Sequence, residues 1–562
     1  MKFSWPRRHC VALGVCGALL AGVTGCGSSG SGGGAGSDSP PVLRSDCETT
    51  VDPASFASAE RLLDLNRAMD SFGKRTTASP QHQDYVAWLE SQLRAIPGLQ
   101  IESVPYEIQR WTATRTRLEL ELADGSFAEV PVAGHLPYSA TTPASGIEAP
   151  LVYVPDLAEL AEHDVDGAIV VTDIGVSSTP YAIITALQWF TYDPDLSLAS
   201  EVLDALELEA LGELGVLADE AHEAGAAGLL FVHNFSREQV PEVYAPYEGL
   251  MWTAPGLYLG ADEGVVARQA AAEGRSVRLT LEAQIVPATT RMLIATLPGQ
   301  SEERLVITSH TDGVNALWDN GPPAMVAMAD YFAGFVQDCR PRTLEFAFTT
   351  AHLHQHLVPP ARDGSAEQYA RRLDQGFEDG TVAAVIVIEH LGAKGMITQP
   401  RSDGGPGLEL VEGPYHEPNS FFVSESPGLI TALQNTVISH DLERTIALRG
   451  ADVPGLHIPM HQSFGGEGGP YHKHLLPTLA FITGPWTLFT TGLSVDDMVD
   501  GELMHRQMLM FTDLVYALDD MPTTVLAGPI LVERQLREVL CAAGDLGLTV
   551  CEGTPADPGT GG

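Results

Sequence analysis

The stretch Leu305-Val-Ile-Thr-Ser-His310-Thr-Asp312, with Trp318-Asp319-Asn320-Gly321 close behind, ends an apolar, β-branched run in one imidazole and two carboxylates. Imidazole and carboxylate are ligand types that zinc accepts, and a strand end holds them rigidly. The apolar run reads as a buried central strand, and Asn320-Gly321 as the turn that stops it. In open α/β sheets the functional residues lie just past the carboxyl ends of the strands. A lone His-x-Asp in a polar loop would simply meet water. The pieces that follow along the chain argue for chemistry instead.

Such residues need a rigid frame, and the sequence predicts one. Residues 58–72 read as a helix with Leu62, Leu65 and Met69 on one stripe and Ser58 as N-cap. Residues 85–96 read as a second, ended by Pro97-Gly98. Residues 99–130 alternate like paired strands about an Asp124-Gly125 turn. Between 145 and 284, strand-like segments (151–154, 168–171, 228–232, 256–259) alternate with Ala-rich helical ones. Strands return at 291–297, 304–309, 343–349, 382–388 and 478–482, with a helix at 324–335 among them. A last helix carries Met504, Met508, Phe511, Val515 and Leu518 at helical spacing, as core. The fold class is α/β, a mostly parallel mixed sheet flanked by helices.

The 562 residues exceed one typical domain and can bury a large core. Acidic residues outnumber basic ones 73 to 31, a net charge of -42 that excludes nucleic acid as a partner. Lys2, Arg7 and Arg8 precede a short apolar run at 11–23, too short and Gly-rich to span a membrane. Val23-Thr24-Gly25-Cys26 resembles a bacterial lipobox, and residues 27–36 are almost pure Gly and Ser, a flexible tether. The expectation is a signal peptide at 1–25, lipid on Cys26, a tether over 26–46, and an extracytoplasmic location in the bacterial cell envelope, held to the membrane by the lipid. The mature chain keeps Cys47, Cys339, Cys541 and Cys551, which suit two disulfides in one of three pairings. The short loop favours Cys541–Cys551, leaving Cys47–Cys339 to clip the N-terminal arm to the main domain. Residues 552–562 read as a disordered tail.

Taken in order, the pieces from 58 to 518 resemble metallopeptidase family 28, the zinc aminopeptidases and glutamate carboxypeptidases, with transferrin receptor and glutaminyl cyclase among their relatives. The family's order is a strand ending in His-x-Asp, an Asp-Asn-Gly turn, a strand ending in Glu-Glu, a strand ending in Asp, and a late His-Thr. The segments Asp166-Gly-Ala-Ile-Val-Val, Ala221-His-Glu-Ala-Gly-Ala-Ala-Gly-Leu-Leu-Phe-Val and Ala254-Pro-Gly-Leu-Tyr-Leu-Gly resemble a protease-associated domain, which the family often inserts before the His-x-Asp strand. This implies a zinc exopeptidase-like domain over 47–144 and 285–551, and an inserted smaller, β-rich protease-associated domain over 145–284.

Carried over residue by residue, the resemblance makes His310 and Asp319 metal ligands, with Asp312 orienting His310. Glu389, in Val387-Ile-Glu389-His390-Leu-Gly392, stands where the family has its strand-end Asp. His310, Asp319 and Glu389 then hold one zinc and leave a fourth position for water. His352 stands at the general base and Leu353 at a ligand of a second metal; Phe489 stands at the late His. Neither leucine nor phenylalanine binds zinc, so the family's two-metal site is not expected. Glu467 and His472, in Gly466-Glu467-Gly-Gly-Pro-Tyr-His472-Lys-His474, are auxiliary candidates, and His354, His356 and His390 crowd the same strand ends. The expected function is a lipid-anchored, single-zinc hydrolase of peptides or amides. A catalytically inactive binding protein on the same fold and a single-zinc acyl transferase of glutaminyl-cyclase type are the alternatives.

Overall fold

The computed structural model describes residues 43–542 apart from 175, 201, 207, 248–250, 355–363, 453–457, 460, 485 and 492. The expected signal peptide, Cys26, the tether as far as residue 42, His356, Cys551 and the tail lie outside the described residues. Among the described residues no helix is long and apolar enough to cross a membrane.

Helix α1 (Ala59–Asp70) starts at Ser58, whose side chain accepts from the Arg61 N–H. Helix α2 (Pro80–Ala95) starts five residues before the predicted 85, because Ser79 caps it and Pro80 fits its first turn. Strand β1 (Gln100–Glu121) turns at Asp124-Gly125 into β2 (Phe127–Val130), as predicted. Next come β3 (Gly134–His135), β4 (Ile147–Tyr153), β5 (Ile169–Ile174), β6 (Gln188–Tyr192), β7 (Gly228–His233) and β8 (Gly256–Leu259). The long β9 (Ser276–Leu297) leads to β10 (Arg304–His310), helix α3 (Gly321–Ala333) and β11 (Thr343–Thr349). Helix α4 (Ser365–Glu378), β12 (Val382–Ile388), β13 (Asn419–Val423), β14 (Thr445–Leu448), β15 (Thr478–Ile482) and helix α5 (Gly501–Asp519) complete the frame.

Fifteen strands form one sheet in the order β3-β8-β7-β5-β4-β9-β11-β10-β12-β15-β13-β14-β6, with β1 paired along β9 and β2 along β1. β1 and β9 run antiparallel from Gln100↔Thr296 to Leu120↔Val277 and carry the sheet from one half of the molecule to the other. At its centre β11, β10, β12 and β15 are mutually parallel, so their carboxyl ends open on one edge. These strands are covered on both faces, which is why they read as near-continuous apolar runs. Alternation divides them: Leu305 and Ile307 pack with Met328 of α3 and Met508 and Phe511 of α5. Val306, Val385 and Val387 pack with Tyr369 and Leu373 of α4.

The sheet does not respect the expected boundary at 145–284. β6 lies inside that range, yet it pairs antiparallel with β14 at the far edge of the main half. β3, expected in the main half, pairs with β8 in the other. Continuous backbone pairing along β1 and β9 leaves no linker at which to cut. Cys47 and Cys339 form a disulfide across 292 residues, clipping the N-terminal arm to the segment before β11; such a bridge stabilises by a few kcal/mol, to order of magnitude. Cys541 is also disulfide-bonded.

Candidate metal centre

Three side chains converge at the carboxyl ends of β10 and β12. His310 Nε2 lies 3.7 Å from Glu389 Oε2, and His390 Nε2 lies 3.8 Å from the same oxygen. One donor atom from each falls within 4.8 Å of the others, and all three residues are buried. His310 Nδ1 meets the Asp312 backbone carbonyl at 2.9 Å, and His390 Nδ1 meets the Thr483 carbonyl. A carbonyl only accepts, so each Nδ1 carries the proton and each Nε2 presents a lone pair. Both Nε2 atoms are buried and have no hydrogen-bond partner. Burial pushes His310 well below the usual imidazole range and His390 down to about 3, so both rings are neutral, the state in which imidazole ligates. Burial and the neighbouring Glu467 push the Glu389 carboxyl up to about 8. A bound cation would reverse that shift. Two imidazoles and one carboxylate form a recurrent zinc set with a position left open, and the orphaned nitrogens fit one ion.

His390, placed from sequence only among the histidines that crowd these strand ends, takes the third donor position instead of Asp319. Here the strand ends at Ile388, and His390 takes φ +52°, which turns its ring toward the same ion site as Glu389. Gly466 closes in on the other Glu389 oxygen. It has φ +63°, and a Cβ there would meet Oε1 at 2.8 Å. The next residue, Glu467, donates its backbone N–H to that oxygen at 2.8 Å and so holds Oε2 toward the histidines.

Asp319, expected as a ligand, is held by Arg75 instead. Arg75 Nε donates to Oδ2 at 2.8 Å and Arg75 Nη2 to Oδ1 at 2.6 Å, and neither side chain is exposed. A planar guanidinium matches both carboxylate oxygens, so Asp319 is neutralised within the protein. Nor does the Asp312 carboxylate reach the His310 ring, as expected of it. It accepts from the backbone N–H groups of His352 at 3.2 Å and Leu353 at 2.9 Å and from the Thr77 hydroxyl. Asp312 thereby fixes the turn that carries His352, and its carbonyl rather than its carboxylate orients His310.

His352 follows Ala351, whose φ of +61° turns the chain as it leaves β11. Its ring stacks on His310 with centroids 4.1 Å apart, and its Nδ1 lies 3.5 Å from Glu467 Oε1. The second Glu467 oxygen accepts from the Thr349 hydroxyl at 2.8 Å. Burial opposes charge on His352, but Glu467, Glu389 and Asp312 together raise it above the ordinary imidazole range. A cavity of about 190 Å³ opens on this pair, lined by His352, Glu467, Gly466, Lys473 and the first turn of α4. His472 does not line it: its Nδ1 meets the Ser424 hydroxyl at 3.1 Å and its ring stacks on Phe464. Leu353 is fully buried, and Phe489 packs edge-on against Trp318 with centroids 5.0 Å apart. Both positions are apolar, as expected.

Beside the cavity His474 sits between two acids, with Nε2 2.7 Å from Glu367 and Nδ1 3.4 Å from Asp374. Burial opposes charge on all three. Even so, the carboxylates raise His474, while His474 and the neighbouring cations lower Glu367 and Asp374. A raised histidine stabilises the fold below its unfolded value and loses that contribution as pH rises through the folded one. Lowered carboxylates stabilise above their unfolded values, so the network is worth most between roughly pH 4 and 6.5. Urea unfolding of wild type against His474→Gln is expected to give a stability gap that is larger at pH 5 than at pH 8. A gap independent of pH would contradict the pairing.

No family model and no curated protein matches the sequence. Solved structures do match the fold. A zinc aminopeptidase from Bacillus subtilis is similar at a TM-score of 0.55 and 14% identity, over 82% of this chain and 97% of that one. An aminopeptidase from Aneurinibacillus gives 0.52 and 15%, over 83% and 96%. A family-28 peptidase precursor from Shewanella amazonensis gives 0.56 and 15%, over 82% and 96%. The architecture is therefore that of the zinc aminopeptidases, in agreement with the sequence resemblance.

Proposed function

We propose that this chain, folded as the zinc aminopeptidases are, is a single-zinc hydrolase of peptide or amide bonds. The observation that carries the reading is the pair of buried, unpartnered imidazole nitrogens facing one glutamate oxygen. A buried polar atom without a partner costs about 1–3 kcal/mol, so two such atoms at one point argue for something that takes both lone pairs.

When bound, zinc would supply Lewis-acid polarisation of a scissile carbonyl and activation of water. His310, Glu389 and His390 would hold it. The Asp312 and Thr483 carbonyls fix both histidine tautomers, and the Glu467 N–H aims the glutamate. Glu467 Oε1 faces His352 Nδ1 and steadies the ring once charged, so His352 would take the proton of the attacking water at Nε2 and give it to the leaving amine. Substrate reaches this pair through the cavity over the first turn of α4. Glu467 thus serves as the auxiliary residue, and His472 has no part. The lipobox-like Val23-Thr-Gly-Cys26 supports anchoring of the chain outside the cytoplasm by lipid on Cys26; the acylated N-terminal peptide should be found by mass spectrometry, and an unmodified Cys26 in the secreted chain would refute it.

The test separates holding the metal from doing the chemistry. His352→Ala should keep its zinc and lose on the order of 10²–10⁴-fold in hydrolysis of a peptide-amide panel, the range for a general acid/base. Loss of zinc together with rate would instead make His352 part of the metal site.

A further inference from the structure

Each metal donor is at most 2% exposed, so what covers them governs what can reach them. His352 stacks on His310, and Tyr247 stacks in turn on His352 with centroids 5.3 Å apart and planes 28° apart. Tyr247 also stacks on Phe489 at 5.9 Å and 19°, and meets the edge of Trp318 at 5.6 Å and 90°. It comes from the connection between β7 and β8, in the other half of the molecule. That connection is pinned close by, with Tyr244 N–H donating to the Phe489 carbonyl at 2.9 Å and Thr491 N–H to the Pro241 carbonyl at 3.2 Å. Tyr247 is half-buried, more exposed than the His352, Phe489 and Trp318 rings it touches.

Two near-parallel ring faces and one aromatic edge against Tyr247 make surroundings that suit a flat ring. One of these walls is His352 itself, so a group seated there lies beside the reacting centre. We propose that the seat of Tyr247 between His352 and Phe489 is a subsite for an aromatic group of the substrate, with Tyr247 its resident occupant until that group displaces it. The ligand class is an uncharged planar ring next to the scissile amide, since the three walls, His352, Phe489 and Trp318, offer ring surface. This inference rests on the single-metal reading above.

The probes are phenylalanine hydroxamate and alanine hydroxamate, two zinc-chelating amino-acid derivatives that differ only by the phenyl ring, titrated calorimetrically into the full zinc-loaded chain. Tyr247→Ala removes the occupant and two stacked contacts. It should bind phenylalanine hydroxamate about tenfold tighter than wild type, the worth of roughly one to two aromatic pairs, with alanine hydroxamate unchanged. Tyr247→Phe keeps the ring and should match wild type. Equal gains for both probes, or no gain for either, would overturn the subsite. The unmodified protein gives an independent check: phenylalanine hydroxamate should expose Tyr247 to nitration, mapped by peptide mass, and alanine hydroxamate should not. Nitration indifferent to both would also overturn it. A wild-type chain without zinc would instead overturn the metal reading and this inference together.

Discussion

Replacing His390 by alanine is expected to weaken zinc binding by more than roughly 100-fold, beyond the usual cost of losing a mere outer partner of a ligand. The expectation rests on geometry: His390 Nε2 is fully buried, lies 3.8 Å from Glu389 Oε2 and has no hydrogen-bond partner. Removing the ring leaves two donors. His390→Gln keeps volume and polarity, but an amide oxygen is a poorer zinc ligand than an imidazole nitrogen, so it should bind zinc more weakly as well. Asp319→Asn makes the opposite comparison. Asp319 was expected to be a ligand from sequence, but Arg75 takes both its oxygens, so Asp319→Asn should keep its zinc. Competition with a chromophoric chelator measures all three variants. Retention of zinc by His390→Ala, or its loss from Asp319→Asn, would restore the ligand set predicted from sequence.

Arg75→Met should be the most damaging single change to stability away from the metal donors, costing about 3–5 kcal/mol by urea unfolding. The pair it breaks is entirely enclosed. Removing the guanidinium leaves Asp319 with a buried charge that burial already pushes toward protonation. The loss is therefore mostly the penalty of the stranded partner, rather than the worth of the pair. Arg75→Met combined with Asp319→Leu should recover most of it, because two apolar side chains can replace a buried ion pair at little net cost. A single-variant loss under about 1 kcal/mol would mean that water reaches the pair, as it does for surface salt bridges.

The frame of the site was legible because burial on both faces leaves a dense apolar signature. β11, β12 and β15 fall at the residues predicted for them, and β10 extends one residue further. β6, β13 and β14, of four or five residues each, were not among the predicted strands. With β6 unseen, nothing in the sequence told that the range 145–284 sends a strand across to the main half. His310 and Glu389 were legible as polar groups that end apolar runs. His390 stood in view among the crowding histidines, but its role depends on a left-handed backbone that no residue type announces. Arg75 lies 244 positions from Asp319. Only the folded chain brings them together, and an arginine in a loop looks like any solvated cation. Tyr247 was hidden for the same reason.

The central claim, one ion held by His310, Glu389 and His390, is tested most directly by native mass spectrometry of the full chain purified without chelator. The account predicts a single zinc per chain. A chain carrying two zinc ions, or a folded chain carrying none, would contradict it.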